Sequence, residues 1–161
     1  AVGDAIAMSV MVKKKFNSNN FAQSHPGGSL GRRLIYTVED IMLKGSALPL
    51  VSVNSPLKEV LYHISEKRMG MAIVTDEKKN LKGIFTDGDL RRILETTTIN
   101  FESKVSRFMK KNPLTIETNK NISDAISLLN AKKINQLVVL NKNKKVIGAL
   151  SIHTLFEKGF I

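Results

Sequence analysis

Two stretches of the chain carry the same pattern of apolar and polar positions. In the first, Leu57, Val60, Leu61 and Ile64 recur at helical spacing, followed by the apolar run Met71-Ala72-Ile73-Val74, a charged turn from Asp76 to Asn80, and the run Leu81 to Thr86. In the second, Ile122, Ala125, Ile126 and Leu129 keep the helical spacing, Leu137 to Leu140 form the apolar run, Asn141 to Lys145 the turn, and Val146 to Ser151 the last strand. Leu57 to Leu90 aligns with Ile122 to Leu155 without a gap, about 65 positions apart. The approaches match too: Val38 to Met42 is echoed by Val105 to Met109, each followed by a proline and a β-branched stretch. Each copy is therefore predicted to run strand, helix, strand, turn, strand, helix. The last helices start near Thr86 and Ser151, with Leu90, Ile93 and Leu94 as one apolar stripe and Leu155 and Phe156 as the other.

A unit near 60 residues is too long for a solenoid repeat and too short to bury a good core alone, so the copies are expected to pack on each other. This predicts an α+β fold, two small three-stranded sheets with helices on one side of each, in pseudo-two-fold arrangement. Three parts follow: residues 1–36, a helix and an Asn-, Ser- and Gly-rich loop; 37–99, the first repeat; and 100–161, the second. Ser55-Pro56 reads as a helix opening, a side-chain cap followed by proline at the first helical position, and Asn121 with Asp124 as its counterpart.

Composition narrows the picture. The 161 residues are 42% hydrophobic, enough for an ordinary interior, and the absence of cysteine excludes a disulfide framework and a thiolate metal site. A cytoplasmic setting follows as the default. The net charge of +11 would suit an anionic partner, but many lysines fall on turns (Lys78, Lys79, Lys142, Lys144, Lys145) and no tryptophan interleaves with them. A nucleic-acid partner is not expected. No apolar run reaches the roughly 18 residues of a membrane span, and Ala1 to Phe16 has its lysines after the apolar stretch, the reverse of a secretory signal. With little polar face, that segment reads as a helix from a larger domain.

The sharpest motif is Gly83-Ile84-Phe85-Thr86-Asp87-Gly88-Asp89-Leu90-Arg91-Arg92, at a strand-to-helix junction. A hydroxyl and free backbone N–H groups there suit an anion, so Thr86 is a candidate for phosphate. Asp89, a turn further on, is placed to accept hydrogen bonds from a ribose diol. Apolar strand residues such as Val51 and Met71 are candidates to sandwich a base. The alternative is structural: Thr86 as a helix cap, with Asp87 and Asp89 favouring the helix dipole.

Two copies of this pattern, each ending in Gly-hydrophobic-x-Thr/Ser, resemble a tandem of cystathionine β-synthase (CBS) domains from Val38 to the C-terminus. The resemblance implies a Bateman module whose central cleft takes adenosine nucleotides or related ligands and regulates an attached enzyme or transporter. It places phosphate and ribose recognition on Thr86 and Asp89. The second copy keeps the hydroxyl as Ser151 but has Thr154 in place of the acid, with His153 before it, so one cleft is expected to bind much better than the other.

Upstream, Gly3-Asp4-Ala5 and Phe21-Ala22-Gln23-Ser24-His25-Pro26-Gly27-Gly28-Ser29-Leu30-Gly31-Arg32-Arg33-Leu34 are similar to the end of the sugar isomerase (SIS) domain of arabinose-5-phosphate isomerases. That family interconverts D-ribulose 5-phosphate and D-arabinose 5-phosphate for Kdo in lipopolysaccharide or capsule. The resemblance implies a catalytic acid/base role for His25 in the parent enzyme, since an imidazole titrating near neutral pH suits aldose–ketose isomerisation. With the family's other catalytic residues expected upstream of Ala1, the chain is expected to be inactive alone.

The resulting expectation is a regulatory CBS pair needing no cofactor. Its effector is AMP, ADP or ATP, or CMP-Kdo, whose extra carboxylate Arg91 and Arg92 would meet. The parent would be a homo-oligomer through its CBS and SIS domains. The rival is a pair that only holds an oligomer together, its cleft empty. Two smaller signals read as structural: the Gly27 to Gly31 loop as a flexible connection rather than a phosphate cradle, and His63 and His153 as too scattered for a metal site. The six methionines read as core filler.

Overall fold

The structure, a computed structural model, describes residues 13, 29–96 and 98–161. The upstream segment around Ala1 to Phe16, Lys13 excepted, and His25 lie outside the described residues. After a short helix α1 (Ser29–Ile35) and a single turn α2 (Val38–Ile41), the chain runs β1 (Leu50–Ser52), α3 (Leu57–Lys67), β2 (Met71–Thr75), β3 (Leu81–Thr86) and α4 (Asp87–Thr96). The second half repeats it as β4 (Thr115–Glu117), α5 (Ile122–Lys132), β5 (Gln136–Leu140), β6 (Val146–Ser151) and α6 (Ile152–Glu157). Each half is a three-stranded sheet, β1-β2-β3 or β4-β5-β6, its first pair parallel and its second antiparallel. The parallel pair needs a crossover, which α3 and α5 supply.

The central strands explain how the halves meet. All five residues of β2 are buried, because its two faces cover different cores. Ala72 and Val74 face the helices of their own half, together with Val51, Leu57, Val60 and Phe85. Met71 and Ile73, alternating with them, face a layer that includes Val138, Val146 and Ala149 of the other half. Met71 is therefore fully buried and Val51 is 4% exposed, each packed in a core cluster. Met42 and Met69 are also buried, as core filler.

The approach segments are exchanged between halves. Leu43 N–H donates to the Ala149 carbonyl at 2.9 Å and the return bond is 3.1 Å, so the segment leading into the first half lies on the edge of the second sheet. Its counterpart mirrors it: Ile84 and Lys110 exchange bonds of 3.0 and 2.8 Å, laying the segment before the second half on β3 of the first. Val38, Ile41 and Met42 accordingly pack in the second half's core, while Val105 belongs to the first's. A boundary drawn at residue 37 thus describes the sequence repeat, not the packing unit.

This exchange also caps the helices. Pro56 precedes α3 in extended conformation, rather than occupying its first helical position, and neither Ser55 nor Asn121 supplies a side-chain cap. The first amides are bonded across the halves instead: Leu57 N–H to the Ser103 carbonyl at 2.9 Å, Ile122 N–H to the Tyr36 carbonyl at 3.0 Å. A backbone carbonyl from the crossing segment satisfies the donor that a side chain was expected to take. α1 is tied to the C-terminus: Arg32 donates to the Lys158 carbonyl at 3.1 Å, Arg33 to that of Phe160, and Tyr36 meets the buried Phe160 ring edge-on.

Candidate functional site

The end of β3 and start of α4 face the second half across a hollow of about 460 Å³. The structure brings Thr86, Asp89, Arg91 and Arg92 together there, four of the residues singled out by the sequence. The opposite wall comes from the other half and its approach segment: Lys133, Ile134, Gln136 and Lys110. None of these is visible in the motif itself. Ile84 could have been found, because strand alternation puts it on the face of Thr86; the lysines depend on the exchange and the pseudo-two-fold packing.

Thr86 and Asp89 are bonded to each other. Asp89 Oδ2 accepts from the Thr86 N–H at 2.9 Å and from its hydroxyl at 2.7 Å, while Asp89 N–H donates to Thr86 Oγ1 at 3.2 Å. This is a capping box, closing the first turn of α4 reciprocally. Arg92 donates to Asp89 Oδ1. A carboxylate offers about four acceptor sites, and three are in use. A ribose diol, needing two, would have to displace Arg92, whose side chain is 68% exposed. The Thr86 hydroxyl proton is directed at Asp89 and not into the hollow. The structural alternative weighed for these two residues is thus present, alongside their position on the hollow wall.

The electrostatics of the hollow are cationic. Arg91, Arg92, Lys110 and Lys133 line it against the carboxylates of Asp87 and Asp89, leaving a two-charge excess. Apolar lining is confined to Ile84 and Ile134. Lys133 is held at φ 52°, closing α5 in the left-handed conformation, which fixes where its side chain departs.

A second hollow, about 690 Å³, occupies the pseudo-equivalent place. Ser151 stands where Thr86 does, and its hydroxyl accepts from the Thr154 N–H at 3.0 Å. Thr154 is buried and pairs its own hydroxyl with Ser151 Oγ at 2.9 Å, so this junction is capped without a carboxylate. Phe156, 68% exposed, replaces Arg91, and Arg68, at φ 52°, replaces Lys133. His153 also lines this hollow, 3.0 Å from Glu157. His63 lies elsewhere on α3, 3.9 and 3.6 Å from Glu59 and Glu66.

The CBS domain family profile matches this chain twice, over residues 38–96 and 105–159. Arabinose 5-phosphate isomerase KdsD of Pseudomonas aeruginosa is 37% identical over 158 residues, covering 98% of this chain and 48% of that protein. Arabinose 5-phosphate isomerase KpsF of Escherichia coli is 38% identical over 152 residues, covering 94% and 46%. The chain spans about half the length of the curated relatives it matches. Among solved structures, CBSX2 of Arabidopsis thaliana, crystallised with AMP, is 26% identical with a TM-score of 0.65, covering 76% of this chain and 95% of that one. A CBS domain protein of Pyrobaculum aerophilum complexed with AMP has a TM-score of 0.68 over 77% and 94% of the two chains; at 20% identity it speaks for the fold.

Proposed function

We propose that this chain, which belongs to the CBS domain family and folds as a pair of those domains, is the effector-sensing part of an arabinose-5-phosphate isomerase. The observation that carries the reading is the cationic hollow, where Thr86, Asp89, Arg91 and Arg92 of one half face Lys110 and Lys133. The effector is anionic and of nucleotide type. AMP is one candidate, supported by the AMP complex of a 26% identical protein, and ADP and ATP extend it. CMP-Kdo is the other, its carboxylate suiting Arg91. Isomerisation between D-ribulose 5-phosphate and D-arabinose 5-phosphate belongs to the part of the parent outside this chain, with His25 contributing to that cytoplasmic enzyme's acid/base chemistry.

Regulation requires the effector to bind two arrangements of the parent with different affinity. Support for a route comes from α1, which is held to the second half through Arg32, Arg33 and Tyr36 and leads back toward the upstream segment. No helix among the described residues is long and apolar enough to cross a membrane.

Thermal unfolding with AMP, ADP, ATP and CMP-Kdo tests the reading. A ligand at about 100 times its dissociation constant adds roughly 2.7 kcal/mol, or about 5–10 °C for a chain of this size. Asp89 is a poor probe, because its replacement also removes the α4 cap. Arg91→Gln and Lys133→Gln, both exposed positions, should abolish the shift while leaving the unliganded transition in place. A protein that binds none of the four in the first place is a scaffold, and the effector reading is wrong.

A further inference from the structure

Asp89 is the enclosed charge of the cationic hollow. Its side chain is 11% exposed, whereas Asp87, Arg91, Arg92, Lys110 and Lys133 are all exposed. Oδ2 already accepts twice from Thr86, so Oδ1 is the atom with acceptor capacity to offer a ligand. Arg92 occupies it. The guanidinium gets there by folding back toward the start of α4, the direction a helical side chain takes. Its Nη1 lies 3.5 Å from where a Cβ on Gly88 would stand, a point itself 3.7 Å from Thr86 Oγ1, so Arg92 lies over the first turn of the helix. The second repeat has neither partner of this pair. Thr154 stands at the place of Asp89 and Glu157 at that of Arg92, and Glu157 lies 3.0 Å from His153.

Parting Arg92 from Asp89 leaves an enclosed carboxylate oxygen and a guanidinium without each other, which is costly unless both find substitutes. A ribose diol donates to the oxygen but offers the guanidinium no negative charge. A phosphate or carboxylate pairs with the guanidinium but has nothing to donate to Asp89. Only a ligand carrying both groups satisfies both ends.

We infer, resting on the effector reading above, that Arg92 is a specificity-determining residue: a ribose diol displaces it from Asp89 Oδ1, and it exchanges that carboxylate for the anionic group of the same ligand. Arg91, Lys110 and Lys133 attract any anion into the hollow, while Arg92 makes full affinity conditional on the diol. The ligand class is a ribonucleotide with both ribose hydroxyls. A nucleoside strands the displaced arginine, and a phosphate without a diol leaves the pair with Asp89 in place.

Titration of the whole chain and of Arg92→Met, followed by NMR, tests the exchange with AMP, adenosine and dideoxy-AMP, which lacks both ribose hydroxyls. Arg92→Met keeps the stem, removes the donors and leaves the bonds between Thr86 and Asp89 intact. Adenosine should bind the variant about two- to fivefold more tightly than wild type, the worth of an ion pair exposed on one side. Dideoxy-AMP should bind it less tightly by a similar factor, having lost a cation and gained nothing, with AMP between the two. A role confined to supporting Asp89 would instead weaken adenosine and AMP together. Adenosine that does not tighten, or dideoxy-AMP that does not weaken, overturns the exchange while nucleotide binding itself stands. Absence of AMP binding from both proteins overturns the AMP reading of the effector, and the exchange with it.

Discussion

Gly83 and Gly148 occupy equivalent places in the two repeats, yet the exchange of segments makes them unequal. A Cβ on Gly83 would lie 2.7 Å from the Lys110 carbonyl oxygen and 3.0 Å from Met109 Sδ, where ordinary contact begins at 3.4 Å. The backbone at Lys110 would have to retreat by about 0.7 Å (3.4 less 2.7) to restore that contact. It is held there by both hydrogen bonds to Ile84, at 3.0 and 2.8 Å. Gly83→Ala therefore overpacks a site whose neighbour is backbone, costing about 1–3 kcal/mol, less the roughly 0.4–1 kcal/mol that a glycine-to-alanine change can return through the unfolded chain. A net loss of about 1–2 kcal/mol corresponds to a fall in melting temperature of roughly 2–8 °C. At Gly148 the new atom instead runs into the side chain of Met42, with the Leu43 carbonyl at 3.1 Å. Methionine is flexible and can re-rotate, so Gly148→Ala should cost less. Because Ile84 and Lys110 line the cationic hollow, Gly83→Ala should also weaken effector binding, and Gly148→Ala should not. Scanning calorimetry of both variants, with and without AMP, reads all of this. Equal stability of Gly83→Ala and wild type, or a larger loss at Gly148, would refute the exchanged packing as the reason for these glycines.

Other outcomes follow from single contacts. Phe160 is fully buried in the second core, so Phe160→Ala should cost about 3–5 kcal/mol, seen as a lower urea midpoint, and should release Arg32 and Tyr36 from the C-terminus. The Asp76 carboxylate accepts from the Asn80 side chain at 2.7 Å and backbone at 2.8 Å and pairs with Lys82, which holds its pKa well below the usual carboxylate range. The unfolded chain therefore takes up that proton first as pH falls below about 4, and the stability Asp76 contributes is present above that point and is lost on acidification. Asp76→Asn, which keeps the acceptor oxygen that Asn141 uses in the second turn, should flatten the decline in urea midpoint between pH 5 and pH 2.5; an unchanged slope would discount Asp76. Lys79 sits at φ 59°, where a side chain costs roughly 1–2 kcal/mol. Lys79→Gly should raise stability by up to about 1 kcal/mol after glycine's own entropy loss, and a lower melting temperature would contradict it.

The elements were legible because they are local. Helical spacing in Leu57 to Ile64 and Ile122 to Leu129, apolar runs at Met71 and Leu137, and turns at Asp76 and Asn141 each depend on neighbours within a few positions, and all appear where the pattern places them. The duplication likewise required two small sheets that bury their surfaces on one another. Thr86 and Asp89 reached the hollow because the strand-to-helix junction that carries them ends at its wall.

What periodicity cannot carry is which surfaces meet. An alternating or continuous apolar strand has the same sequence whether its far face meets a ligand or a second sheet, so the burial of Met71 was decided by the packing of the halves. The exchange of the approach segments was decided the same way, by which sheet edge a crossing chain finds, and it took the helix caps from Ser55 and Asn121 and brought Lys110 to the hollow. Sequence alone determined the repeat, its elements and the chemistry of one wall. Tertiary structure supplied the facing lysines, Lys110 and Lys133, because side chains more than 20 positions from Thr86 converge there only once two pseudo-equivalent halves have closed.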